Sequence, residues 1–225
     1  DRIGGEITRR FLREYSDELN FTRNLYMFQE QKKQKLWKKQ IGTELYGKTM
    51  GIIGLGSIGC EIARKAKAFD MKVIGTKNNK VSLENVDCVY GSEDLEQVLS
   101  QCDFVVIALP STPQTHKLIS RREFESMKDG AYFVNISRGE IVDEVELIKA
   151  LKNGKLGGAC LDVFEKEPLP QNSELWDVDN VIISPHLAAL SPAYFDRAFK
   201  IFLNNLKAYK ESKKLKNVID LDKEY

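Results

Sequence analysis

The sequence predicts an α/β fold, a doubly wound parallel sheet, on three observations. Short β-rich runs alternate with helical stretches from residue 49 onward. The runs are near-continuously apolar, as strands covered on both faces are. The stretches between them carry helix start and stop signals.

The elements follow in order. Residues 49–55 read as a strand and 58–69 as a helix; 71–76 and 86–90 read as strands, 95–100 as a helix and 104–109 as a strand. A helix over 120–128, a strand over 131–136, a helix over 143–152 and strands over 157–163 and 181–184 complete the pattern. Ser120 with Glu123, and Asp143 with Glu146, have the spacing of capping boxes, whose side chains satisfy orphan amides of a first helical turn. Gly130 and Gly154 stand just past helix ends, where a left-handed residue is often needed. The two ends of the chain differ from the middle: 9–37 reads as long, helical and charged, and 193–214 as an amphipathic helix bearing Phe195, Phe199, Phe202, Leu203, Leu206 and Tyr209.

Composition narrows the function classes. The 225 residues suffice for one domain and part of a second, and 42% hydrophobic residues supply a sizeable core. Lys and Arg total 34 against 33 Asp and Glu, so there is no global pull towards nucleic acid or an anionic membrane. The basic stretches 32–39 and 210–216 read as solvated helix faces. Apolar runs are strand-sized, well short of the roughly 20 residues of a membrane helix, and no signal-peptide pattern opens the chain. Cys60, Cys88, Cys102 and Cys160 form no CxxC pair and read as buried, reduced thiols of a cytoplasmic protein.

Gly54-Leu55-Gly56-Ser57-Ile58-Gly59 follows one expected strand and opens a helix. Alone GxGxxG is a weak signal; in this context it is the Rossmann dinucleotide fingerprint, with glycines for a tight turn, for approach to a pyrophosphate and for helix–strand packing. The helix N-terminus adds amides and partial positive charge. NAD-binding folds commonly place an acid at the end of the second strand, for the ribose. Here that strand ends in Thr76, followed by Lys77, Asn78, Asn79 and Lys80. An Asp would repel a 2′-phosphate, whereas Thr76, Lys77, Asn78 and Lys80 suit one. NADP(H) is therefore favoured, with NAD(H) possible.

Three later segments stand at or beyond strand ends, where open α/β sheets bind ligands: Asn135 to Gly139, Asp162 to Leu169 and Ser184 to Ala188. Their chemistry fits a 2-oxo acid. Arg138 offers a planar fork to a carboxylate and its neighbouring carbonyl. His186 has the protonation range for giving a proton to that oxygen, or taking it back in the oxidative direction. Glu167 would favour and orient the protonated imidazole. His116, the other histidine, has no such setting and reads as a surface residue.

The segments GIIGLGSIG, ALPSTPQTHKLI, FVNISRGEIVDE, ACLDVFEKEPLP and ISPHLAALSP together closely resemble the D-2-hydroxyacid dehydrogenases, in order and spacing, from about Tyr26 to the C-terminus. The resemblance implies an NAD(P)-dependent oxidoreductase of the glyoxylate/hydroxypyruvate reductase kind, moving a hydride between NAD(P)H and a small 2-oxo acid. Arg138, Glu167 and His186 would be its catalytic set. It carries Ser57 and Ile58 onto the pyrophosphate, makes Leu109, Pro110 and Thr115 cofactor-lining, sets Ile136 and Ser137 beside the nicotinamide, and gives Asp162 to the carboxamide. It implies a homodimer joined through the cofactor domain, and no catalytic metal.

Family chains normally begin with a substrate-domain segment before a linking helix, and this sequence starts close to that helix. Residues 1–25 are therefore expected to be a remnant of a partial second, substrate domain together with the linking helix, 26–190 the dinucleotide-binding domain, and 191–225 a helix returning to the substrate domain. A competing expectation is a dinucleotide-binding regulator, because corepressors similar to this family keep the Arg, Glu and His set.

Overall fold

The computed structural model describes residue 23, residues 25–188, residue 190 and residues 192–218, with only the backbone of Tyr26. Most of the helix expected over 9–37 lies outside the described residues; within them α1, Leu25–Lys33, ends four residues before Trp37.

Seven strands form one sheet: β1 Thr49–Ile53, β2 Lys72–Thr76, β3 Cys88–Tyr90, β4 Phe104–Ile107, β5 Ala131–Asn135, β6 Leu156–Leu161 and β7 Val181–Ile183. Their order is β3-β2-β1-β4-β5-β6-β7. Every pairing is parallel. This is the doubly wound Rossmann arrangement, whose order reverses between β1 and β4. The crossovers carry α2 Ser57–Ala68, α3 Leu95–Leu99, α4 Arg121–Ser126 and α5 Glu144–Lys152, and α6 Tyr194–Lys210 follows the sheet.

Alternation along the strands explains the continuous apolar runs. Met50, Ile52, Val73, Phe104, Val106 and Val134 pack with Ile62, Ala63 and Ala66 of α2 on one face. Ile53, Ile74, Val105, Ile107 and Phe133 pack on the other with Val98, Leu99, Phe124, Leu147 and Leu151 of α3, α4 and α5. Fully burying a large side chain of this kind stabilises by about 1.5–3 kcal/mol.

Local signals mostly hold. The Glu123 carboxylate accepts from the Ser120 amide at 3.0 Å, and Asp143 accepts from the Glu146 amide at 3.3 Å. Gly130 and Gly154 have φ of +76° and +78°. The strands and helices are shorter than expected by one or two residues at several ends. The last helix stops at Lys210 instead of continuing to 214, because Ser212 takes a positive φ and the Lys213 amide turns back onto the Ala208 carbonyl. The thiols are corrected in part: Cys102 and Cys160 are buried, Cys60 is half-buried and Cys88 is exposed on edge strand β3. Burial pushes the Cys102 thiol up to about 12. No helix among the described residues is long and apolar enough to cross a membrane.

Candidate active site

The glycine loop stands at the carboxyl end of β1, beside the point where strand order reverses. Gly54 has φ +107°, and a Cβ there would lie 2.7 Å from the Ala108 carbonyl oxygen beyond β4. Its amide donates to the Thr76 hydroxyl at 3.2 Å, joining the ends of β1 and β2. A Cβ at Gly59 would lie 2.3 Å from the Gly54 carbonyl oxygen, so α2 starts flush against the loop. Around Gly56, by contrast, nothing lies within 4 Å of a built Cβ. No side chain caps α2, and Ser57 in its first turn is exposed. A tight turn, an open approach over Gly56 and an uncapped helix N-terminus together fit a pyrophosphate.

The residues after β2 divide. The Lys77 ammonium donates to the Leu55 carbonyl at 2.7 Å, so its charge sits against the glycine loop instead of pointing to solvent. Asn78 is exposed beside it. Lys80 turns away and pairs with Glu93 at 2.8 Å and Asp94 at 2.7 Å. Across the reversal point, half-buried Leu109 approaches Gly54, and Thr115 ties the next loop by donating to the Pro110 carbonyl at 2.8 Å.

The second part of the site is built on the ends of β5, β6 and β7. His186 Nδ1 and Glu167 Oε2 lie 2.7 Å apart, and the other Glu167 oxygen accepts from the Phe164 amide at 3.1 Å. Burial pushes the Glu167 carboxyl up, but the hydrogen bonds from His186 and Phe164, with the His186 and Arg138 charges, outweigh it and hold the group below its usual range. An ionised Glu167 accepts, which leaves the Nδ1 proton on the ring and turns Nε2 outward. The Arg138 guanidinium donates to the Ser137 carbonyl at 2.6 Å and is exposed. His116 is exposed, as expected.

Three residues shape these loops without having been singled out in the sequence for that task. Asn135, buried at the end of β5, accepts from the Ser137 amide at 3.1 Å and the Ser137 hydroxyl at 3.0 Å, and donates to the Arg138 carbonyl at 3.0 Å. It curls the chain so that Arg138 projects from the sheet end, while Ile136 is buried in the core. Ser184, also buried, donates to the Asp162 carboxylate. Asp162 further accepts from the Leu187 amide at 2.9 Å and the Ala188 amide at 2.8 Å, and its carbonyl accepts from the His186 amide at 2.8 Å. The loop bearing His186, which has φ +50°, is thus wrapped around one buried carboxylate. Gly139 is the third: a Cβ there would lie 1.8 Å from the Phe164 carbonyl carbon, so only glycine lets the Arg138 turn rest on the Glu167 loop. A polar residue ending an apolar strand was the available signal for Asn135; nothing local marks the other two.

Residues 17–188 match the family model for the D-isomer specific 2-hydroxyacid dehydrogenase NAD-binding domain. The chain belongs to the D-isomer specific 2-hydroxyacid dehydrogenase family. Among curated members it is 42% identical over 170 residues to a glyoxylate reductase of Pyrococcus furiosus, covering 76% of this chain and 50% of that protein. It is 43% identical over 153 residues to a D-3-phosphoglycerate dehydrogenase of Archaeoglobus fulgidus, covering 68% of this chain and 29% of that one. The chain thus spans about half the length or less of these curated dehydrogenases. Among solved structures, a family member from Xanthobacter autotrophicus in complex with NADPH superposes with a TM-score of 0.89 at 29% identity, covering 98% of this chain and 90% of that one. An NADPH-dependent glyoxylate/hydroxypyruvate reductase from Sinorhizobium meliloti, in complex with NADP and sulfate, has a TM-score of 0.89 at 31% identity, covering 97% and 70%.

Proposed function

We propose that this chain is the cofactor-bearing part of an NADP(H)-preferring reductase of small 2-oxo acids, of the glyoxylate or hydroxypyruvate type. The observation that carries the reading is the His186–Glu167 pair at 2.7 Å, set with Arg138 on adjacent strand ends of a glycine-loop sheet. Gly54, Gly56, Ser57, Ile58 and Gly59 hold the pyrophosphate, and Thr76, Lys77 and Asn78 face the adenosine 2′-phosphate. Lys77 suits that task because a lysine bound to one carbonyl keeps two further donors and its charge. Lys80, drawn off by Glu93 and Asp94, is dropped from the set. Leu109, Pro110 and Thr115 line the groove, and Ile136, Ser137 and Asp162 stand on the nicotinamide side.

The dinucleotide, when bound, supplies the hydride. Arg138 leaves the Ser137 carbonyl to hold the substrate carboxylate and ketone oxygen, and the protonated His186 gives a proton from Nε2 to that oxygen. Glu167, ionised and hydrogen-bonded to Nδ1, orients the ring and favours the imidazolium. In the oxidative direction the neutral ring takes the proton from the hydroxyl. We also assign 1–25 and 191–225 to the substrate side, and propose a cytoplasmic homodimer. Trp37 and Ile41, 95% and 98% exposed in the cofactor-domain arm before β1, offer that second copy an apolar surface.

The test is a fluorescence titration of the chain with NADPH and NADH, followed by assay of NADPH oxidation with glyoxylate and hydroxypyruvate. Tighter NADPH binding is expected, with Lys77→Ala weakening NADPH more than NADH. NADH bound equally well, before and after that substitution, removes the 2′-phosphate assignment. Binding by the whole protein, substrate side included, without turnover of any 2-oxo acid favours a dinucleotide-binding regulator.

A further inference from the structure

The Glu167–His186 pair is exposed at 36% and 43% of the two side chains, so packing alone does not hold it. Beside it stands a latch of polar contacts between the Glu167 loop and the start of α5. The Glu165 amide donates to Glu144 Oε1 at 2.5 Å, and the Glu144 amide reaches back to Glu165 Oε1 at 3.4 Å. Lys117 Nζ closes the arrangement, 3.2 Å from Glu165 Oε1 and 3.4 Å from Asp143 Oδ2. The base of the latch is stiff. The Lys117 amide donates to the Glu140 carbonyl at 2.8 Å, Ile119 pairs with Val142 as a parallel bridge, and Asp143 caps α5.

The peptide so gripped joins Phe164 to Glu165. Gly139 abuts it from the Arg138 side, and the Phe164 amide donates to Glu167 Oε1. The path from α5 to the imidazole is therefore short and made of contacts: Glu144 to the Glu165 amide, the adjoining Phe164 amide to Glu167, and Glu167 to Nδ1 of His186. Burial and the neighbouring Glu165 push the Glu144 carboxyl up, against the Glu165 amide and Lys117, yet either protonation state keeps an oxygen that accepts.

We infer that Glu144, with Lys117, is a positioning residue: by holding the Phe164–Glu165 peptide it fixes Glu167 against Nδ1 of His186. The inference rests on the proposed reading of His186 as proton donor, but its primary test needs no substrate. The chain has two histidines, so 15N spectra of histidine-labelled protein resolve His186 against His116 as an internal control. Free neutral imidazole favours the Nε2–H tautomer, whereas Glu167 held on Nδ1 enforces the other, with Nε2 left as acceptor.

Glu144→Ala is expected to move the His186 ring shifts towards the free tautomer mixture and leave His116 unchanged. Glu144→Gln keeps an acceptor oxygen and is expected to retain the wild-type His186 spectrum. Lys117→Met frees the Glu165 and Asp143 carboxylates but leaves Glu144 on the Glu165 amide, is expected to shift His186 in the same direction by less, and decides the matter if Glu144→Ala does not fold. In assays, kcat/KM is expected to fall by about tenfold in Glu144→Ala and to recover in Glu144→Gln, with NADPH affinity unchanged. An unmoved His186 in both Glu144→Ala and Lys117→Met overturns the inference. So does an equal displacement in Glu144→Ala and Glu144→Gln, which would make the charge at the helix start the cause. A tautomer shift in this chain, with a whole protein that reduces no 2-oxo acid, leaves the latch standing and removes the proposed reaction.

Discussion

The glycine loop after β1 and the loops after β5, β6 and β7 face the same end of one sheet, but they are shaped by opposite means. Around Gly54, Gly56 and Gly59 the backbone is placed by the absence of side chains: close approach at two positions and open space at the third. Around His186 it is placed by polar side chains that stay inside, with Asp162, Ser184 and Asn135 all buried and all spent on the loops themselves. A phosphate needs backbone amides brought near it. A proton donor needs one ring held at one angle, and directional hydrogen bonds supply that where apolar packing does not.

Gly139 brings close backbone approach into the second region, where the turn after β5 rests on the loop after β6, and it gives the largest expected effect. A methyl group there overlaps the Phe164 carbonyl and the Glu165 amide, both backbone atoms that cannot step aside. Gly139→Ala is expected to destabilise the protein by about 3 kcal/mol, the upper part of the overpacking range. Chemical denaturation measures it. A variant as stable as wild type would mean that the Arg138 turn and the Glu167 loop are separable, and that the surroundings of His186 are looser than their hydrogen bonds imply.

Gly56→Ala sharpens the same contrast from the other side. Gly56 has φ −87°, which any residue adopts, and its Cβ would enter empty space. Stability is expected to change by less than about 0.5 kcal/mol. Dinucleotide affinity is expected to fall by about tenfold, because the added methyl stands in the open space proposed for the pyrophosphate. Thermal melts and the NADPH titration separate the two effects. A stability loss with unchanged affinity would make the glycine a structural turn residue.

The contrast also explains what was legible in the sequence. The sheet and the glycine loop were readable because their signals are local: apolar runs, capping boxes and a six-residue motif with a strand before it and a helix after it. The residues proposed as catalytic could be singled out by chemical type and place at strand ends. The latch was not. Glu144 lies 21 residues before Glu165, and Asp162 lies 22 before Ser184. Nothing along the chain says that Asp162, Glu144 or Gly139 will meet those partners, since the meeting is set by parallel strands brought side by side. Lys80 failed for a related reason: the acids that draw it away come from the turn at Ser92–Asp94, beyond the next strand. Cys88 was misread because an edge strand is apolar in sequence yet open on one side.

The smallest expected effect is a difference of sign under acid. On the cofactor side, Asp87 is pushed up by burial, but the Val73 amide and Lys67 outweigh this and hold it below its usual range. Around the His186–Glu167 pair, Asp143 and Glu167 are likewise held low, whereas Glu144 is pushed up by burial. A carboxyl lowered by folding gives stability that is present above its unfolded pKa and lost as pH falls through its folded one. A carboxyl raised by folding does the reverse, binding its proton more readily in the native state and so offsetting acid loss between the unfolded value and the higher folded one. Asp87→Asn is therefore expected to flatten the decline of denaturation midpoint as pH falls through and below the ordinary carboxylate range, and Glu144→Gln to steepen the decline just above that range. These groups are partly exposed and screened, so both changes are small, and their opposition carries the argument. If both substitutions flatten the curve, Glu144 is held ionised like its neighbours, and Lys117 rather than burial governs the start of α5.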